Sequence, residues 1–89
     1  MNHTCIDVDV WCKYIGTPPI YRVYVDDELL TERTFVWSST NQYIREHIEV
    51  YLDNGPHEVR IVNCGDHHAT FITDRVILNG QASEAKFTI

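Results

Sequence analysis

Cys64, His67 and His68 are the closest grouping of reactive side chains in the chain, and the Cys64–His67 spacing is that of one half of a zinc knuckle. A structural zinc site takes four ligands. The others would have to come from His3, Cys5, Cys12 or His57, with no second close pair to help. The same Cys64 beside His67 or His68 is the one candidate thiol–imidazole couple for nucleophilic chemistry, but neighbouring residues supply neither a pocket nor an oxyanion hole. A polar loop in which histidines happen to fall explains the grouping more simply. Carboxylates cluster at Asp7 with Asp9 and at Asp26, Asp27 and Glu28. On an outward strand face or a turn they read as solvated charge that blunts sheet edges, since nothing nearby would move their pKa values toward acid–base catalysis. Hard oxygen donors that could hold calcium sit at Asp53, Asn54, Asp66 and Asp74, without EF-hand spacing.

The aromatic residues make the best candidate surface. Tyr43 and Tyr51 share parity with Arg45, His47 and Glu49 in one alternating run, which puts all of them on the same side of a strand. Tyrosine faces stack on sugar rings, and the flanking Arg45, His47 and Glu49 can bond hydroxyls. The same residue types are enriched in protein interfaces, and they would serve equally to pack against a neighbouring strand. Trp11 and Trp37 are read as core or rim packing.

The elements that must position these residues are strands. Ile6, Val8 and Val10 alternate with Asp7 and Asp9, and residues 20–25 are rich in β-branched and aromatic types. Thr17-Pro18-Pro19 separates the two runs. Asp26-Asp27 reads as a tight hairpin turn, with an extended segment running on to Trp37 and a loop at residues 38–41. Residues 43–52 form the strongest strand, with Ile44, Ile48, Val50 and Leu52 inward; Glu46 is the exception on that face and should lie near a strand end or at a partner. Asp53-Asn54-Gly55-Pro56 predicts a hairpin into residues 57–64, with Val59 and Ile61 inward. A loop at residues 65–68, a strand over 70–78, a turn at Asn79-Gly80 and a closing strand over 86–89 complete the chain. About seven or eight short strands with regular turn signals predict one all-β antiparallel sandwich, jelly-roll-like, spanning residues 1–89.

Composition bounds the function. The formal charge of −6, with seven scattered basic residues, argues against nucleic acid. No apolar run approaches the roughly 20 residues of a membrane-spanning helix. The first residues carry neither a basic nor an apolar signal region, so the expectation is no signal peptide and a cytoplasmic or virion-associated protein. Three cysteines are an odd number for a disulfide scaffold. Cys5 and Cys12, seven apart, point to opposite faces of one strand, so they are expected to act as small reduced side chains.

Two stretches carry a family resemblance. The run from Glu49 through Asn54-Gly55 to Asn63, and the run from Phe71 through Asp74 to Asn79-Gly80, resemble strands of jelly-roll carbohydrate-binding modules, the calcium-dependent xylan-binding group above all. The resemblance covers about a third of the chain. It implies glycan binding and a calcium site that could involve Asp66 and Asp74. The chain lacks the Gly-rich N-terminal half of those modules and is shorter than they are. In its acidic, compact β character it is also similar to small accessory proteins of tailed-phage virions. The expected function is therefore a non-catalytic binding module, with a glycan as ligand through Tyr43, Arg45, His47 and Tyr51. The alternative is an assembly protein acting through protein contacts, with homo-oligomers in view.

Overall fold

The computed structural model describes residues 1–36, 42–65 and 69–89, with the backbone but not the side chain of Asp74. Asp66, His67, His68 and Trp37, which the sequence reading singled out, lie outside the described residues, as does the 38–41 loop.

The described residues form eight strands: β1 (Asn2–Lys13), β2 (Ile20–Val25), β3 (Glu28–Thr34), β4 (Tyr43–Leu52), β5 (Pro56–Asn63), β6 (Thr70–Leu78), β7 (Gln81–Ser83) and β8 (Lys86–Thr88). They make two four-stranded antiparallel sheets, in the orders β4-β1-β6-β7 and β3-β2-β5-β8, packed face to face. The fold is an all-β sandwich.

Period-two alternation explains the layers. Thr4, Ile6, Val8, Val10 and Cys12 bury the inner side of β1, and Tyr21, Val23 and Val25 bury that of β2. Both strands are flanked on either side by partners, so they form the centre of the core. Phe35, Ile48, Val59, Val76 and Phe87 fill the space around them. Phe71 is also part of this packing, within 5.4 Å of Tyr21 and 6.4 Å of Phe35 between ring centroids.

Phe71 and Val76 have opposite parity, yet both face inward. A bulge reconciles them. Val8 pairs with Val76 and Val10 with Thr73, so β6 spends three residues where β1 spends two. The extra residue resets the phase of β6, sending Phe71 to the core and Ile72 to the outside. A second bulge lies between the Val23–Thr31 and Tyr24–Leu29 pairs and leaves Leu30 packed against the core.

Two hairpins follow the turn chemistry. Asp26, in the left-handed region at φ 56°, turns β2 into β3, and Asn79 and Gly80, at φ 50° and 82°, turn β6 into β7. The hairpin expected at residues 53–56 does not form. β4 belongs to one sheet and β5 to the other, so the chain crosses the sandwich there. The turn's backbone bonds go to the end of the chain, with Gly55 N–H donating to the Ile89 carbonyl (3.1 Å) and Ile89 N–H to the Gly55 carbonyl (2.9 Å). β7, three residues long, is an element the sequence reading did not anticipate.

Candidate functional site

The outer face of the β4-β1-β6-β7 sheet gathers all four residues proposed from sequence as ligand-binding: Tyr43, Arg45, His47 and Tyr51. The unbroken β1–β4 register sets them in five rows, opposite Trp11, Asp9, Asp7 and His3, with Cys5 opposite Glu49. Aromatic pairs close both ends. Trp11 and Tyr43 pack with ring centroids 4.8 Å apart, and His3 and Tyr51 at 5.3 Å, both tilted. Tyr51 is 67% exposed, Tyr43 39%, and Ile72, beside Trp11 on β6, 51%.

The middle rows are polar and mutually held. Asp9 is 1% exposed although it points to the outer face, because two guanidiniums cover it. Arg45 donates from Nε to Oδ1 (2.7 Å) and from Nη2 to Oδ2 (3.2 Å), and Arg75 of β6 donates from Nε to Oδ2 (3.1 Å). The bond from Arg45 holds the Asp9 carboxyl below the usual carboxylate range, against the opposing effect of burial. His47 sets Nδ1 2.6 Å from Asp7 Oδ1, which raises the imidazole pKa, and its Nε2 lies 3.6 Å from Glu49 Oε2. Glu49 Oε1 in turn lies 3.2 Å from His3 Nε2 and 3.9 Å from Cys5 Sγ. Partial burial, and then the Glu49 carboxylate, push the Cys5 thiol pKa up. Arg45 and His47 are therefore oriented by carboxylates rather than swinging in solvent.

On the opposite side of β4, Glu46 finds the partner its position demanded. It is buried between the two sheets at their β4 and β3 edges, where it accepts from the Tyr21 hydroxyl (2.6 Å) and pairs with the Arg33 guanidinium. Burial, and then this bond, raise the Tyr21 pKa. A groove of about 320 Å³, lined by Leu30, Arg33, Glu46 and Ile48 among others, runs along this seam.

At one end of the sandwich His57 joins two turns. Its Nδ1 lies 2.8 Å from Asp26 Oδ2 and its Nε2 2.7 Å from the Asp53 carbonyl; both partners are acceptors, an arrangement that favours the protonated ring and raises its pKa. Asp26 also accepts from Glu58 N–H through Oδ1 (2.9 Å). An open cleft of about 330 Å³ lies here, lined by Asp26, His57, Glu58, Lys86 and Phe87.

Of the calcium candidates, Asp53 and Asn54 lie at the crossing turn, with Asn54 accepting from Asn2 Nδ2 (2.9 Å); Asp74 lies within β6 rather than on a loop. Cys64, at the end of β5, is exposed. The sequence reading missed Asp9 as a buried charge, His57 as a clamp, and the approach of His3 and Cys5 to Glu49. Parity alone places His3 with Cys5 and His47 with Glu49; only the strand register unites the two pairs.

Comparison of the chain with protein-family models, with curated proteins and with solved structures returns no match.

Proposed function

We propose that the protein is a non-catalytic binding domain that takes an extended carbohydrate along the outer face of β4 and β1. One observation carries this reading: exposed tyrosines stand at both ends of a single strand in unbroken register with β1, with oriented polar side chains between them. Tyr43 and Tyr51 are eight residues apart on β4, roughly 26 Å at a rise of about 3.3 Å per residue, which favours an elongated ligand. Their rings offer stacking platforms, and Arg45, His47 and Glu49 supply fixed donors and acceptors for hydroxyls. Rigidity lowers the entropy cost of binding. The resemblance of residues 49–63 and 71–80 to carbohydrate-binding modules points the same way.

A second reading has its own support. Ile72, half exposed beside Trp11, which in turn packs on Tyr43, makes that end of the face apolar enough for a protein contact, as an assembly subunit would need.

A glycan array probed with the purified chain separates the two. Binding that is lost on Tyr51→Ala supports the carbohydrate reading. Loss on chelation with recovery on adding calcium brings in Asp66 and Asp74. Silence across the array, together with self-association in light scattering that Ile72→Asp removes, transfers the face to protein assembly.

A further inference from the structure

We propose that His3, Cys5 and Glu49 form a zinc(II) site on the outer face of the first sheet, with a fourth coordination position open to solvent. Asp7 and His47 act as positioning residues behind Glu49. The inference stands independently of which ligand docks on this face.

The site follows from the register. Cys5 of β1 faces Glu49 of β4, and His3 is two residues along on the same side of β1. One ligand atom from each, a ring nitrogen of His3, the Cys5 Sγ and a Glu49 carboxylate oxygen, all lie within 4.8 Å of one another. The two edges that meet at Glu49 Oε1 measure 3.2 Å to His3 Nε2 and 3.9 Å to Cys5 Sγ. Zinc bonds of about 2.0–2.3 Å at tetrahedral angles place their ligands roughly 3.3–3.7 Å apart, so closing the site requires only small side-chain movements. The donor set discriminates among metals. One thiolate, one imidazole and one carboxylate suit zinc, while calcium and magnesium demand oxygen. Thiolate and carboxylate together balance the charge of the cation.

The surroundings hold these donors in place. The His3 ring packs on Tyr51 at 5.3 Å. The second oxygen of Glu49 faces His47 Nε2 at 3.6 Å, and His47 Nδ1 is fixed by Asp7 at 2.6 Å. Such outer carboxylate–histidine pairs orient metal ligands. An ordinary ion-pair ladder would account for the two histidines around Glu49. In that ladder Cys5 would be only a weak thiol donor to Glu49 Oε1, whereas the metal reading makes use of a sulfur and an imidazole nitrogen converging on the same carboxylate oxygen. Three protein ligands and an open position are the pattern of a zinc ion that can exchange its fourth ligand. On binding, the Cys5 proton is released to solvent as the sulfur–metal bond forms.

The test is titration of the reduced, metal-free full chain with cobalt(II), followed by displacement with zinc. The expected result is one equivalent per chain, a thiolate-to-cobalt charge-transfer band, tetrahedral visible absorption, and bleaching by zinc. Cys5→Ser should abolish the charge-transfer band and Cys64→Ser should leave it. Glu49→Gln should weaken binding at least tenfold, and Asp7→Asn about 10–100-fold with the band retained. In the wild-type chain, zinc should protect Cys5 from alkylation as read by mass spectrometry, which needs no variant to fold. Absence of the band at saturating cobalt would overturn the site. So would a band that survives Cys5→Ser but not Cys64→Ser, or unprotected Cys5 under zinc.

Discussion

Asp9 shows how much one side chain's setting can differ from its neighbour's. Asp7 and Asp9 occupy equivalent outward positions in the alternation, yet Asp9 is buried beneath Arg45 and Arg75 while Asp7 stays half-buried beside His47. Its partners lie 36 and 66 residues away, so no local pattern could announce the triad. Either arginine alone still compensates the carboxylate, so Arg45→Met or Arg75→Met should each cost about 1 kcal/mol or less. Removing both leaves a buried charge unpaired, and the double variant should lose roughly 3–5 kcal/mol. Urea denaturation of the two single variants and the double variant measures this non-additivity.

His57 gives a pH dependence with a definite sign. Its folded pKa is raised above the ordinary 6.5, first by Asp26 and then by the Asp53 carbonyl. The clamp's contribution is therefore complete below pH 6.5 and lost as pH rises through the raised value. Asp26, lowered from 3.8 chiefly by His57, adds stability above pH 3.8 that disappears as pH falls through its depressed value. Thermal stability should thus be greatest between these limits and decline as pH rises through the raised His57 value. His47 titrates in the same direction, so His57→Gln should flatten the alkaline slope only in part, a difference that melting curves across pH resolve.

Among the elements, alternation made the strands legible, along with the side of β4 that carries Tyr43, Arg45, His47 and Tyr51. Pairing was legible at the Asp26-Asp27 hairpin, where β2 and β3 do pair, but not beyond such tight turns. The Asn54-Gly55 signal correctly marks a turn, but turn chemistry is local and says nothing about whether the chain returns beside β4 or crosses to the other sheet. Here Gly55 bonds to Ile89, and β5 joins β2 and β8 instead. The three residues of β7 are too few to leave a periodic trace. His3, Cys5 and Glu49 failed to stand out for the same reason as the Asp9 triad: Cys5 and Glu49 are 44 residues apart. At this scale the two tyrosines should part company. Tyr51→Ala should leave stability within about 0.5 kcal/mol, as expected for an exposed position. Tyr43→Ala loses the Trp11 pair and should cost about 0.5–1.5 kcal/mol, read from denaturant midpoints.

The whole molecule measures 42 × 23 × 16 Å, a thin sandwich whose core is filled from the inner faces of both sheets. For 89 residues the expected stability is only about 4–13 kcal/mol. Phe35 touches Tyr14, Tyr21 and Phe71, with centroids 6.4–6.5 Å away, and it is fully buried. Phe35→Ala should cost about 3–5 kcal/mol, leaving a substantial unfolded population in a circular dichroism melt.

The bulge in β6 makes the distinction between inside and outside a matter of counting. Upstream of it the strand is read in one frame and downstream in another. Only this slip lets Phe71 face the core while Ile72 faces water. Deleting one residue at that point would restore a single frame through the strand: the phenyl ring would surface, the isoleucine would sink, and the outer face would inherit the interior's chemistry. A one-codon change, conservative in composition, would thus turn this end of the protein inside out.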